Sequence, residues 1–300
     1  MSLKNASFSC GPLTSFYSTQ VSVSKNIGKN ISQVRAKEWG ITVLPLKVRF
    51  GEEEFLDGVT LSPKDFYKKL VETDELPKTS QISPFDYGQV FKEAEAAGDE
   101  LICFCLSSGV SGSYQSACIA AEDFSDKIHV IDTRQFCISE FIIVQRAVWL
   151  RDQGKNVKEI LDTIEVEMKK AHVIAAFDTL EYLKLGGRIS SAAAFAGNVL
   201  MIKPVLTIEE GVVKVIGKAR GSKNSHNMLM EFVKNHGGID FDMPVCIAYA
   251  GYTDDVLKKY VEDSKALYEG NEEKIQYAEV GATIGTYSGP GAIALAFFEK

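Results

Sequence analysis

The sequence predicts an α/β protein of two domains, the first on a mainly parallel sheet and the second on a mixed sheet. Three observations predict it. The chain has 300 residues, more than one core usually organises. From Trp39 onward, short apolar runs alternate with helical stretches, the pattern of a sheet covered on both faces. In the second half, "KPVLTIEEGVVKVIGKARG" reads as a hairpin turning at Glu209–Glu210–Gly211, which adds antiparallel pairing to the sheet there. The boundary is placed near residue 160, giving an N-terminal domain over 1–160 and a C-terminal domain over 161–300.

Taken in order, the first 37 residues stand apart. They contain no Asp or Glu, whereas the rest of the chain carries all 40. Within them "STQVSVSK" (Ser18 to Lys25) alternates weakly, as a strand does, so the segment reads either as an arm or as a divergent first strand and helix. Ile41 to Phe50 reads as a strand that Pro45 interrupts, which implies an edge or a bend. A helix follows, with Ser62 to cap it, Pro63 suited to the first helical position and Asp65 favourable in the first turn. "ELICFCL" and "KIHVID" are strands, with helices over Pro84 to Ala97, Tyr114 to Ala121 and Ile138 to Gln153. The second half starts with the amphipathic "NVKEILDTIEVEMKKA" and the strand "HVIAAF". After the hairpin come a helix, the strand "PVCIAYA", the helix "DDVLKKYVEDSKALY" and the strand "KIQYAEV". The closing "ATIGTYSGPGAIALAFFEK" reads as a strand, a Gly-rich turn and a helix.

Composition narrows the function classes. The formal net charge of −7 gives no reason to propose nucleic acid or an anionic membrane as a partner. No apolar run approaches the roughly 18 residues of a membrane span, and the N-terminus lacks the apolar core of a signal peptide, so a cytoplasmic location is predicted. The six cysteines form no CxxC pair and the four histidines are scattered, which suits neither a metal site nor a disulfide framework. No cofactor is predicted.

Three hydroxyl-rich turns remain: "KTSQISP" (Lys78 to Pro84), "LSSGVSGSYQSA" (Leu106 to Ala117) and "TYSGPGA" (Thr286 to Ala292). The first precedes a helix and the other two are read as joining strand to helix. Ligands in open α/β sheets bind beyond the carboxyl ends of strands, where such turns gather. Free N–H groups at helix starts, together with hydroxyls, suit an anion: a phosphate, a carboxylate or a transient oxyanion. Ser and Gly are equally the ordinary residues of caps and turns. A nucleophile elbow fails because Ser113, not Gly, stands two residues after Ser111. No histidine lies in any of the three turns, and no GxxxxGK[ST] phosphate loop is present. Arg188, in "GGRIS", either holds an anion with two hydrogen bonds or pairs with a carboxylate. From the residues alone, two classes stay open: a carrier of an anionic small ligand, or a stand-alone phosphotransferase or hydrolase.

Together these motifs resemble the DegV family of bacterial fatty-acid-binding proteins. "GITVLPLKVRFGEEEFLDGVTLSPKDFY", "PKTSQISP", "LSSGVSGSYQSA", "VIDTRQF", "LEYLKLGGRIS", "KPVLTIEEG", "KARGSKN" and "IGTYSGPGA" occur in the family's order, from about Gly40 to the C-terminus. The resemblance implies two α/β domains with a lipid between them and no stand-alone catalysis. It implies a long-chain fatty acid whose carboxylate is held by the turns carrying Thr79, Ser80, Ser107, Ser108 and Gly109, with Thr79 and Ser108 matching the binding hydroxyls. It places Arg188 near the phosphoryl group or the partner, and Thr286, Tyr287 and Gly289 at the same opening. It also implies a partner, the ATP-binding subunit of a fatty acid kinase, and is compatible with transient membrane contact. The chain departs from the family pattern twice. Tyr287 stands where the family's last turn has histidine, and Asn26 and Asn30 stand where its first turn has aspartates.

Overall fold

The computed structural model describes residues 22–26, 33–73, 75–189 and 201–300. In chain order the elements are β1 (Ser22–Asn26), α1 (Gln33–Glu38), β2 (Thr42–Val43), β3 (Lys47–Phe50), β4 (Glu53–Leu56), α2 (Pro63–Glu72), β5 (Lys78–Ser80), α3 (Pro84–Ala97), β6 (Leu101–Cys105), α4 (Ser113–Ala121), β7 (Ile128–Asp132), α5 (Ile138–Asp152), α6 (Val157–Glu167), β8 (Ala171–Ala176), α7 (Glu181–Leu185), β9 (Ile202–Glu209), β10 (Val212–Arg220), α8 (Ser222–Asn235), β11 (Val245–Tyr249), α9 (Asp255–Asp263), β12 (Ile275–Glu279), α10 (Ala282–Ser288) and β13 (Ile293–Phe298). Strands β2-β1-β6-β7 form an all-parallel sheet. Strands β10-β9-β8-β13-β11-β12 form a mixed sheet, in which β11 and β12 are the parallel pair. A small antiparallel sheet, β4-β3-β5, lies beside them.

Strand β6 shows how the layers arise. Successive side chains point to opposite faces, and all five residues of "LICFC" are buried. Leu101, Cys103 and Cys105 pack with Tyr87, Phe91 and Ala117 of α3 and α4. Ile102 and Phe104 pack with Phe141 and Ile142 of α5. The same core takes in Val173, Cys246, Ala248 and Ala296, so α5 lies between the parallel and the mixed sheet. Accordingly α5 carries no single apolar stripe: Ile138 through Val144, Ala147, Val148 and Leu150 are all buried. The far face of the mixed sheet, including Ile174, Ile247 and Leu295, packs on Leu229 and Val233 of α8 and Tyr260 of α9. Among the described residues no helix is long and apolar enough to cross a membrane.

Several expectations meet their outcome here. The predicted caps form: Ser62 accepts from the Asp65 N–H at the start of α2, and Pro63 takes the first helical position. The hairpin turns at Glu210 and Gly211, both with positive φ (51° and 82°), as a two-residue turn matched to strand twist requires. The acid-free segment supplies β1, which pairs with β2 on one side and β6 on the other. Asn26 ends that strand opposite Cys105. The family's first turn matches Lys25 to Ser32, of which 27–32, with Asn30, lie outside the described residues, as do Ser18 to Val21.

Two readings are corrected. Ile41 to Phe50 is not one strand: β2 and β3, either side of Pro45, belong to different sheets. The C-terminal order is helix, turn, strand. The Asp57 carboxylate accepts the N–H groups of Ala282 (2.9 Å) and Thr283 (3.1 Å), which starts α10, and Gly289 at φ 62° ends it. "IALAFF" then fills the slot between β8 and β11 as β13. A short apolar run does not reveal by itself whether it is a buried helix or a strand; here the open position in the sheet decides. "TYSGPGA" therefore joins helix to strand and offers no helix start to an anion.

Candidate functional site

A cavity of about 230 Å³ lies between the two larger sheets, with small and apolar side chains along most of its wall. Val173 and Ala175 of β8, Leu206 and Ile208 of β9, Ala294 of β13 and Phe136 before α5 line its interior. Seven of its polar or glycine positions gather where the wall meets solvent, while Thr207, Thr283 and Ser288 lie buried further in. Thr79, Ser111, Gly112 and Tyr287 are half-buried there, and Ser80, Gln81 and Arg188 are exposed. The strand β5 delivers Thr79 by pairing it with Val48. The Thr79 Oγ1 and the Tyr287 hydroxyl lie 2.5 Å apart, which joins the small sheet to α10. The Arg188 guanidinium stacks on the Tyr287 ring at 4.7 Å, donates Nη1–H to the Gly186 carbonyl (2.8 Å) and Nε–H to the Val110 carbonyl (3.2 Å). Gly186 is required for this stack: a Cβ there would meet the Tyr287 ring at 2.4 Å.

The predicted site residues thus separate into two groups. Thr79, Ser80, Arg188 and Tyr287 line the cavity. Ser107, Ser108, Gly109, Thr286 and Gly289 do not, and each has another engagement. The Ser107 hydroxyl donates to the Gly211 carbonyl (2.7 Å) at the hairpin tip. Gly109 lies so close to that tip that a Cβ would meet the Gly211 oxygen at 2.8 Å. Ser108 turns to Asp132, donating its hydroxyl to Oδ2 (2.5 Å) and its N–H to Oδ1 (3.2 Å). The Thr286 hydroxyl donates to the Ala282 carbonyl one turn back (2.9 Å). Gly289 packs on the Tyr182 ring. Ser107 therefore fastens the β9–β10 hairpin to the parallel sheet and Ser108 ties the turn to β7, so that of the serines and glycines in "LSSGVSGS" only Ser111 and Gly112 reach the cavity.

Those two residues precede the helix start that matters. The N-cap of α4 is Gly112, which has no side chain to satisfy the first N–H groups. Gly112 also lets the Gln81 side chain close in, and Gln81 Nε2 donates to the Ser116 hydroxyl (2.9 Å). The start of α3 is different: Ser83 and Asp86 form a capping box, so its N–H groups and dipole are already answered by a carboxylate. Sequence reading missed Ser111, Gly112 and Gln81 as wall residues. The glycine directly before the helix was the available signal.

Among the described residues the wall carries no charged side chain apart from Arg188. Burial pushes the phenols of Tyr67, behind α10, and Tyr182 further above their ordinary value, so both stay neutral. Among the described residues no histidine lines the cavity. The histidines are engaged elsewhere, with Glu100 (His129), Glu299 (His172), Asp263 (His226) and the Phe232 carbonyl (His236). No group of His, Cys, Asp and Glu among the described residues is arranged to hold a metal ion.

Fold and cavity together define a layered α/β protein that encloses an apolar site behind a polar opening. The chain belongs to the DegV family: the family model, described as "Uncharacterised protein, DegV family", matches residues 29–300. It is 34% identical over 268 residues to a DegV domain-containing protein of Caldanaerobacter subterraneus subsp. tengcongensis, covering 88% of this chain and 93% of that one. Its structure is similar to that of a fatty-acid-binding DegV family protein from Thermus thermophilus, with a TM-score of 0.84 at 29% identity over 94% of this chain and 100% of the other. It also shares its fold with the Streptococcus pneumoniae Fatty Acid Kinase (Fak) B3 protein loaded with linoleic acid, with a TM-score of 0.79 over 94% of this chain and 100% of the other. At 21% identity that likeness speaks for the fold alone.

Proposed function

We propose that this chain binds a long-chain fatty acid with its tail in the cavity and its carboxylate at the opening. The observation that carries this reading is the division of the wall: mainly apolar in the interior, with hydroxyls, a guanidinium and a helix start whose N-cap is a glycine gathered at the solvent end. An acyl chain of about 16 carbons, at ~0.8 kcal/mol per buried CH₂, contributes on the order of 10 kcal/mol before the costs of ordering. Thr79, Ser111 and the N–H groups of α4 hold the carboxylate, each charged hydrogen bond contributing about 1.5–3 kcal/mol. Arg188 stands beside it, fixed on Tyr287. Tyr287 supplies a neutral donor, so the head group is held by hydrogen bonds and not by a second cation.

Among the described residues no histidine or carboxylate lines the cavity; on this reading the chain acts as a binding protein and a kinase partner supplies the chemistry. The exposed carboxylate oxygen attacks the γ-phosphorus of ATP held by a fatty acid kinase ATP-binding subunit. The bond to ADP breaks, and an acyl phosphate forms at the opening. The first test is to denature purified protein and extract it for mass spectrometry, then to add stearate to delipidated protein. A fatty acid in the extract and saturable uptake are expected; neither appearing would sink the reading. The second test mixes the protein with the kinase subunit and ATP. Acyl phosphate is expected only when both proteins are present, and its formation by this chain alone would favour the stand-alone enzyme.

A further inference from the structure

The wall of the cavity holds one polar group that the carboxylate reading leaves unused. Thr283 lies in the first turn of α10 and lines the cavity. It is buried, and its hydroxyl has no hydrogen-bond partner among the described residues. The two other hydroxyl side chains of the inner wall are both satisfied: Thr207 donates to the Val173 carbonyl (2.6 Å), and Ser288 donates to the Gly289 carbonyl (3.0 Å). An unpaired buried hydroxyl costs about 1–3 kcal/mol, and an apolar residue of similar shape would avoid that cost. Position is fixed from behind, because Asp57 holds the Thr283 N–H. Thr283 lies four residues before Tyr287, on the same helix face and about 6 Å deeper along the axis. A chain whose carboxylate sits by Tyr287 therefore passes Thr283 with roughly its fifth to seventh carbons. A helical threonine divides between two side-chain rotamers, so its hydroxyl and methyl can exchange places at the wall.

We propose that Thr283 selects an oxygenated acyl chain, a fatty acid with a hydroxyl or oxo group roughly five to seven carbons from the carboxylate that pairs with the Thr283 hydroxyl. The inference rests on the fatty-acid reading of the cavity and adds the class of chain that it prefers. Other occupants of the site make no such demand: a plain saturated chain leaves the hydroxyl unpaired against methylene groups.

The test compares binding of stearate, 5-hydroxystearate and 7-hydroxystearate to delipidated wild-type protein and to Thr283→Val and Thr283→Ser, by displacement of a fluorescent fatty acid. In the wild type, at least one hydroxystearate is expected to bind about fivefold tighter than stearate, the equivalent of one net hydrogen bond of about 1 kcal/mol. Thr283→Val is expected to reverse the order, binding stearate more tightly than the wild type does and the hydroxylated chain less tightly. Thr283→Ser, which keeps the hydroxyl, should keep the preference. The inference is overturned if the wild type prefers neither hydroxystearate, or if the preference survives in Thr283→Val, as it would were an ordinary water to satisfy the threonine. Stearate binding with no such preference would defeat the inference and leave the fatty-acid reading standing. Failure of all three acids to bind would remove both.

Discussion

At the opening of the cavity, Thr79 and Tyr287 meet across 208 residues of sequence, and Ser111 and Arg188 come from two further segments. In the interior, neighbours along single strands make the wall, with Val173 and Ala175 from β8 and Leu206 and Ile208 from β9. The two regions differ in what they ask of the fold. The interior needs only bulk and apolarity in register, which a strand provides every second residue. The opening needs a few polar atoms within hydrogen-bond reach, which no single element provides. It follows that affinity should depend on the interior and orientation on the opening.

The strongest way to break this division is to fill the interior. Ala294 is half-buried in a strand with neighbours on both sides, and it lines the cavity. Ala294→Phe should exclude about three methylenes of the ligand, at ~0.8 kcal/mol each, and so weaken stearate binding roughly 50-fold. Unchanged affinity would show that the chain does not lie along β13. The next largest effect should fall on both regions together. Asp57 starts the helix that carries Thr283 and Tyr287, so Asp57→Ala should lower stability by about 2–3 kcal/mol and weaken ligand binding with it. Chemical unfolding with and without stearate measures both.

At the opening, Thr79→Ala and Gly186→Ala, the latter displacing the Tyr287 ring, should each weaken stearate binding about tenfold, the lower end of one charged hydrogen bond. They should lower acyl-phosphate formation with the kinase subunit by more than that. Complete loss of lipid from either variant would contradict the separation of affinity from orientation. Ser108→Ala, by contrast, should act through the loop that Asp132 holds and change stability more than affinity.

The smallest effect concerns pH and lies outside both regions. Burial lowers the pKa of His172 and His226, against the raising effect of Glu299 and Asp263. As pH falls through the ordinary histidine value of about 6.5, the unfolded chain takes up these protons before the folded one does. Stability is therefore full above that value and declines below it. Thermal unfolding followed from pH 7 to pH 5 should show the decline, and His226→Gln should make it shallower while ligand binding at pH 7 stays the same.

Much of the framework was legible because its signals are local. The Ser62–Pro63–Asp65 start, the Glu210–Gly211 turn and the five-residue run "LICFC" each act within a few residues, and each appears where the sequence puts it. The C-terminal order was not legible. "IALAFF" suits a buried helix as well as a strand, and only the gap between β8 and β11 distinguishes them. The site divided in the same way. Thr79, Ser80, Arg188 and Tyr287 reach the cavity, whereas Ser107 and Ser108 are drawn to the Gly211 carbonyl and the Asp132 carboxylate, partners 104 and 24 residues away.

By itself, then, the sequence determined that strands and helices would alternate to build a parallel and a mixed sheet, and that no histidine would lie within the three hydroxyl-rich turns. Tertiary structure decided which hydroxyls are available to a ligand. Every serine or threonine in those turns can donate a hydrogen bond, but each has few to give. The Gly211 carbonyl and the Asp132 carboxylate consume those of Ser107 and Ser108, whereas Ser111 and Gly112 before α4 line the cavity.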